Sequence, residues 1–162
     1  MSMIKENIQS TQTGSAPDLQ RKAAMALLAQ ATAPEIAALW AGWGDKPDVE
    51  TLRGPETGLV MLRGRIGGGG APFNLGEATV TRATVRLGNG AVGHAYALGR
   101  HREKVRLAAV FDALWQQPEC RDAVERAVLA PIADRLERDR TSKRAETAAT
   151  KVDFFTMVRG DD

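Results

Sequence analysis

Arginine residues are the side chains whose spacing most suggests chemistry. Arg63 and Arg65 lie two positions apart in one predicted strand, and Arg82 and Arg86 lie four apart in the next. Side chains two or four positions apart in a strand project from the same face of the sheet. Guanidinium groups on one face suit bidentate binding of carboxylate or phosphate, so all four are candidate phosphate-binding residues. The competing interpretation is a solvated face or ion pairs with acidic residues.

The other residues that could do chemistry form weaker patterns. His94 and His101 are the only histidines, and their spacing is not that of a metal site. Cys120, the single cysteine, has no base close to it in sequence and is a poor nucleophile. Asp112 falls on an otherwise apolar helix face, where a buried carboxylate with a structural partner is favoured over a catalytic acid. We therefore predict no catalytic residue and no metal site in this chain.

A run of glycines at residues 67–70 could bring backbone amides close to a phosphate, because glycine has no side chain in the way. No Lys-Ser or Lys-Thr pair follows the run, and it does not connect a strand to a helix as a dinucleotide-binding loop does. A flexible hairpin connection is therefore the favoured interpretation.

Helices are predicted near both ends of the chain. Asp18 is the candidate N-cap of a first amphipathic helix, and Thr32 with Glu35 forms the capping-box pattern that opens a second. Beyond the strands, apolar spacing and helix propensity indicate helical segments at about residues 102–116, 121–129 and 132–151. Large apolar residues are nearly absent from the last segment, so we expect a weakly anchored arm.

Strands are predicted between these helices. A Gly-Pro pair and a further glycine separate two short strands within residues 49–66, and a longer strand follows at residues 77–87. The Asn89-Gly90 pair is typical of a hairpin turn and leads into a further strand. With a C-terminal strand after the helical arm, the pattern indicates an α+β fold with a mainly antiparallel sheet of about four to five strands.

The two ends of the chain differ from the rest. Residues 1–17 are rich in Ser, Thr and Gln and are predicted to be a disordered tail, which leaves residues 18–162 as a single α+β domain. An apolar segment at residues 152–158 is predicted to pair as a strand with the sheet of its own chain or of a partner. The predicted partner interface consists of Val152, Phe154, Phe155, Met157, Val158 and Arg159.

Composition excludes several classes of protein. The chain carries 22 Lys and Arg against 20 Asp and Glu, a formal net charge of +2, which disfavours a protein that coats nucleic acid. No window approaches the ~18 consecutive apolar residues of a membrane helix, and the opening segment lacks the apolar core of an export signal. Because a single cysteine fits a reducing compartment, we expect a cytoplasmic protein without a membrane partner.

Three stretches together resemble the PhnG family, the G subunits of the carbon-phosphorus lyase core complex of bacterial phosphonate breakdown. They are RIGGGGAPFNLGEATVTRATVRL at residues 65–87, GHAYALGR at residues 93–100, and KVDFFTMVRGD at residues 151–161. The resemblance covers roughly residue 23 to the end of the chain. The sequence departs from the family pattern at Glu77 and His101, where the family has Asp, and this argues against proton transfer at those positions.

The resemblance implies an accessory subunit without a cofactor or catalytic residue of its own. In that system the G, H, I and J subunits assemble, and I packs most directly with G and is the nucleosidase-like catalytic component. The complex, a transferase, displaces adenine from ATP, with Mg²⁺, by a phosphonate to give a ribose 1-phosphonate 5-triphosphate; J later acts as the lyase. The isolated chain is expected to be inactive and to self-associate.

One alternative belongs to a different class of protein. The arginine-bearing sheet would then serve a free-standing domain that binds nucleotides or nucleic acid. A single tyrosine and a net charge of only +2 argue against extended base stacking, so phosphate contacts would be the main source of affinity.

Overall fold

Helices precede and follow three strands in the structure, a computed structural model that describes residues 15–65 and 69–150. The strands form one antiparallel sheet in the order β1-β2-β3, which confirms the α+β class. A π-helical turn, Glu125–Leu129, joins the last two helices. The elements are α1 (Ala16–Gln30), α2 (Ala33–Ala41), β1 (Val49–Gly64), β2 (Phe73–Leu87), β3 (Val92–Leu98), α3 (Arg102–Trp115), α4 (Pro118–Val124) and α5 (Ala130–Ala149).

The sheet has fewer strands among the described residues than the four to five predicted. The two short strands expected within residues 49–66 are one strand, β1, of 16 residues. Shifts of register on either side of Arg53 let Gly54 and Pro55 bulge out of the ladder, as a proline without an N–H must. β2 also begins earlier than predicted, at Phe73. The predicted C-terminal strand lies outside the described residues.

The turn between β2 and β3 confirms the predicted Asn-Gly hairpin. Gly90 has a φ of +89°, a conformation that glycine adopts without steric cost. The Asn89 side chain accepts a hydrogen bond from the backbone N–H of Ala91 at 3.1 Å and donates one to Gln117 at 2.8 Å. The turn is therefore held both to itself and to the end of α3.

Helix α3 lies at the centre of the core. Its residues from 104 to 115 are buried, except Arg106, because the sheet covers one side and α1, α2 and α4 cover others. The rings of Trp40 and Trp43 meet the ring of Phe111 edge-on, with centroids 5.7 and 5.6 Å away. The sequence predicts the bounds of α3 within two residues at each end.

Of the two predicted helix caps, the cap of α2 is confirmed and the cap of α1 is wrong. Thr32 and Glu35 form the predicted capping box, with hydrogen bonds of 3.3 and 3.0 Å between each side chain and the other residue's N–H. Asp18, predicted as the N-cap of α1, is instead its third residue and accepts hydrogen bonds from the backbone and hydroxyl of Ser15. Residues 15–17, predicted to belong to the disordered tail, thus form the cap and first residues of α1, and residues 1–14 lie outside the described residues.

Two cations cap the carboxyl end of α1, where the free carbonyls carry partial negative charge. The buried Lys104 Nζ donates to the Ala29 carbonyl at 2.9 Å, and burial lowers the pKa of this amine. Arg135 of α5 donates to the Gln30 carbonyl and to Glu35, each at 2.9 Å. From residue 137 onward α5 is exposed, as expected of the weakly anchored arm.

We expect substitution of Gly93 to destabilise the fold, because β3 and α3 approach most closely there. A Cβ at this position would collide with the Ala109 carbonyl oxygen and lie 2.6 Å from the Ala113 nitrogen. Gly93→Ala should lower the free energy of unfolding by about 3 kcal/mol. Gly58→Ala is the control, since a Cβ there meets nothing within 4 Å. Urea denaturation followed by circular dichroism measures both, and equal effects would contradict the close approach.

Glu35 gives the fold a predictable acid sensitivity. Burial opposes ionisation of this carboxyl, but hydrogen bonds from Arg135 and the Thr32 backbone outweigh it, so its pKa is lowered from 4.5. Its stabilising effect should be complete above about pH 4.5 and lost as the pH falls through the folded-state pKa. Glu35→Gln should cost about 1–2 kcal/mol at pH 7, and the difference from wild type should shrink at pH 3. Glu137→Gln, which breaks a pair with both side chains more than 60% exposed, should show no such trend.

Candidate functional site

Arg82 and Arg86 lie on the outer face of the sheet, the face turned away from α3. Both are exposed and follow the alternation that the sequence predicts for β2. The opposite face of β2 packs on the core through Thr81, Ala83, Val85 and Leu87. The structure therefore brings this pair of arginines together on one face, at cross-strand distance from β1 and β3.

Glutamates of β1 engage both arginines. Glu56 stands opposite Arg82 and Glu50 opposite Arg86 in the register of the two strands. Two guanidinium nitrogens of Arg82 lie 3.1 Å from Glu56 Oε2, and Arg86 Nη1 lies 3.4 Å from Glu50 Oε2. These exposed pairs contribute at most about 1 kcal/mol each, but they neutralise the face. The competing ion-pair interpretation thus describes the geometry of Arg82 and Arg86, and phosphate binding by them stays a prediction.

The other two arginines lie far from this pair. Arg63 stands opposite Asn74, eight positions along β2 from Arg82, a separation of about 27 Å at the rise of a strand. Arg65 follows the end of β1, and both side chains are exposed. Neither forms an ion pair with a carboxylate in residues 15–65 or 69–150. The four predicted phosphate-binding residues are therefore two separate pairs.

Asp112 is a buried carboxylate that joins three elements. Its two oxygens accept hydrogen bonds from Arg21 of α1 at 3.0 and 2.8 Å, and one also accepts the backbone N–H of His94 at 2.8 Å. The side chain is 1% exposed. The hydrogen bond to Asp112 raises the pKa of Arg21, so this guanidinium stays charged. This confirms the structural interpretation of Asp112.

The remaining candidates form no reactive arrangement among the described residues. His94 is exposed with Nδ1 3.1 Å from the Thr84 hydroxyl, and His101 is exposed at the start of α3. Burial, helped by neighbouring acidic residues, raises the pKa of the Cys120 thiol, which keeps it protonated and unreactive. No cluster of three or more His, Cys, Asp or Glu side chains that could hold a metal occurs in this part of the chain. Residues 67–68 of the glycine run lie outside it, and Gly69 and Gly70 lie in an exposed turn.

Sequence reasoning missed an exposed apolar extension of the sheet. Because β3 pairs only with residues 80–86 of β2, residues 59–64 and 73–79 form a ribbon of two strands, hereafter the distal ribbon. Its large apolar side chains are 39–62% exposed. They are Leu59, Met61, Leu62, Phe73 and Leu75. The sequence did carry a signal for this extension. Its apolar residues follow one another without alternating polar residues, so they fall on both faces of the strand.

The predicted interface at residues 152–159 lies outside the described residues and stays a prediction. Across those that are described, no single helix has the length and apolar composition to cross a membrane. Only α1 and α2 taken together meet that test, and they are bent by 110° relative to each other.

An exposed apolar ribbon beside ion-paired surface arginines is typical of a subunit of a larger assembly. The family described as "Phosphonate metabolism protein PhnG" matches residues 19–160 of this chain. A protein of Rhizobium meliloti (strain 1021), named "Alpha-D-ribose 1-methylphosphonate 5-triphosphate synthase subunit PhnG", is 58% identical over 143 residues. The alignment covers 88% of this chain and 91% of that relative. The chain therefore belongs to the PhnG family, and the resemblance seen in its sequence is confirmed.

Removal of the Asp112 carboxylate should be strongly destabilising. Asp112→Ala would leave the partly buried Arg21 and the His94 N–H without an acceptor, at an expected cost of about 3–5 kcal/mol in the free energy of unfolding. Glu50→Gln is the control, since it breaks an exposed pair and should cost less than about 1 kcal/mol. Chemical denaturation at pH 7 measures both. If Asp112→Ala were as mild as the control, the buried pair would not hold the elements together.

Proposed function

We propose that this chain is an accessory subunit of the synthase that makes ribose 1-phosphonate 5-triphosphate in phosphonate metabolism. The observation that carries the proposal is its membership of the PhnG family, with a relative named as a subunit of that synthase and aligned over most of both chains. The chain would contribute to assembly of the complex, while the reacting groups come from other subunits.

The chemistry of the described residues supports a role without catalysis of its own. The buried Asp112 is fully engaged by Arg21 and the His94 backbone, so it is not free to move a proton. The Cys120 thiol has a raised pKa. The buried Lys104, whose pKa is lowered, is held by the Ala29 carbonyl at the end of α1.

The proposed partners are the H, I and J subunits of the carbon-phosphorus lyase core complex, with I in most direct contact. The complex would use ATP, with Mg²⁺, and replace its adenine with a phosphonate. Displacement at the anomeric carbon builds positive charge on the sugar and requires a firmly held triphosphate. The proposed contribution of this chain is to hold the catalytic subunit in the position that this reaction requires. A cytoplasmic location and an interface at residues 152–159 belong to the same proposal.

The alternative of a free-standing nucleotide or nucleic-acid binder finds less support. Its affinity would have to come from phosphate contacts on the outer face of the sheet. Glu56 and Glu50 stand beside Arg82 and Arg86 there, and each would repel an approaching phosphate.

Co-expression tests the proposed function. The chain is produced with the H, I and J subunits, and a further ATP-binding accessory subunit, which the resemblance to the family also implies, is added. Adenine release from ATP in the presence of methylphosphonate is then followed by chromatography. We expect a stable complex that releases adenine, loss of both properties when this chain is omitted, and no release by this chain alone. Adenine release by the isolated chain would contradict the accessory role. Tight, saturable binding of ATP to the isolated chain in calorimetry would favour the alternative.

A further inference from the structure

The distal ribbon exposes large apolar side chains that the described residues of its own chain leave uncovered. A two-stranded ribbon is at best marginally stable alone in water, because it has no third layer to bury its side chains. The five large apolar side chains of the distal ribbon together expose on the order of 500 Å², divided between its two faces. Leu98 of β3, which is 69% exposed and pairs with Val80, continues this surface on the outer face.

The apolar side chains lie on both faces of the ribbon. In the register with β2, Leu59 and Met61 fall on the side that α3 covers farther along the sheet, while Leu62 falls on the outer face. Leu75 lies over Gly64, so it too belongs to the outer face. Burial of such a ribbon requires a surface that encloses it from both sides. A groove satisfies this requirement and a flat surface does not.

The charge of the ribbon end restricts the partner. Arg63 lies in the ribbon and Arg65 directly follows it, whereas the acidic residue of the ribbon is Glu77, opposite Met61. Neither arginine has a carboxylate partner within the described ranges. Arginine is enriched at protein interfaces because its guanidinium pairs with carboxylates while its stem packs on apolar surface. The complementary groove is therefore apolar with an acidic rim.

A second copy of this chain does not match that description. The glutamates of the outer face, Glu50 and Glu56, are already paired with Arg86 and Arg82. The exposed part of α5 is polar along its length and offers no apolar groove among the residues described. Among the described residues, the largest group of exposed apolar side chains on a second copy is the same ribbon, which carries the same arginines.

We propose that the distal ribbon inserts into an apolar groove with an acidic rim on a different subunit of the synthase. This inference rests on the proposed function and locates the docking surface on this chain. The area fits, because about 800 Å² per partner is standard for a stable interface, and the ribbon with its neighbours on β3 supplies most of it. Leu59, Met61, Phe73 and Leu75 are the apolar anchors, and Arg63 and Arg65 face the rim.

The test uses the full chain co-expressed with the H, I and J subunits. Leu59→Lys combined with Leu75→Lys replaces two side chains that are each 62% exposed, so the fold should keep its melting temperature. Retention of this variant in the purified complex should fall by about tenfold or more. The matched control is Leu19→Lys on α1, where a leucine of similar exposure, 54%, lies outside the ribbon and retention should be unchanged.

A second variant tests the acidic rim. Arg63→Gln combined with Arg65→Gln should weaken retention at low salt, and the difference from wild type should shrink as salt screens the charges. Equal retention of this variant and the wild type at all salt concentrations would contradict an acidic rim on the partner.

The outcomes separate the two proposals. If the unsubstituted chain does not enter the complex, the proposed function is wrong. If the unsubstituted chain and the Leu59→Lys, Leu75→Lys variant each enter the complex at equal yield, the ribbon is not the docking surface, although the proposed function stands. A wild-type homodimer that the leucine substitutions dissociate, while the other subunits bind both chains equally, would assign the ribbon to self-association and overturn the inference.

Discussion

The buried ion pair between Arg21 and Asp112 is the interaction on which the arrangement of the core depends. A carboxylate without a partner at this depth would cost several kcal/mol, so the closed core requires α1 at the side of α3. The same carboxylate holds the backbone of β3 through His94, which ties the sheet to both helices. One side chain thereby sets the mutual position of the three elements that build the core.

The position of α1 also determines how the C-terminal part of the chain is held. Once α1 is in place, its carboxyl end presents carbonyls to Lys104 and Arg135. Arg135 also binds Glu35, which caps α2, so α2 and the beginning of α5 are oriented by the same cluster. Beyond that cluster nothing in the described chain holds α5, and its exposure follows.

The core that results is too short for the sheet it supports. α3 is 14 residues long, while β1 and β2 are 16 and 15. A helix rises about 1.5 Å per residue and a strand about 3.4 Å, so α3 spans less than half the length of the hairpin. Among the residues that the structure describes, the distal ribbon is left without a cover for this geometric reason. For a subunit of an assembly, the proposed docking of this extension would bury apolar side chains that its own described residues leave exposed.

The sequence by itself determined the local structure, because caps, turns and periodicity depend on neighbouring residues. The box at Thr32, the Asn89-Gly90 turn, the outer-face position of Arg82 and the α+β class could all be predicted, and the quoted stretches were sufficient to recognise the family. Tertiary structure decided what depends on partners distant in sequence. It paired Arg82 with a glutamate 26 positions away and Asp112 with an arginine 91 positions away. It also merged two predicted strands into β1, since pairing with β2 on both sides of the bulge outweighed the local tendency of Gly54 and Pro55 to break a strand.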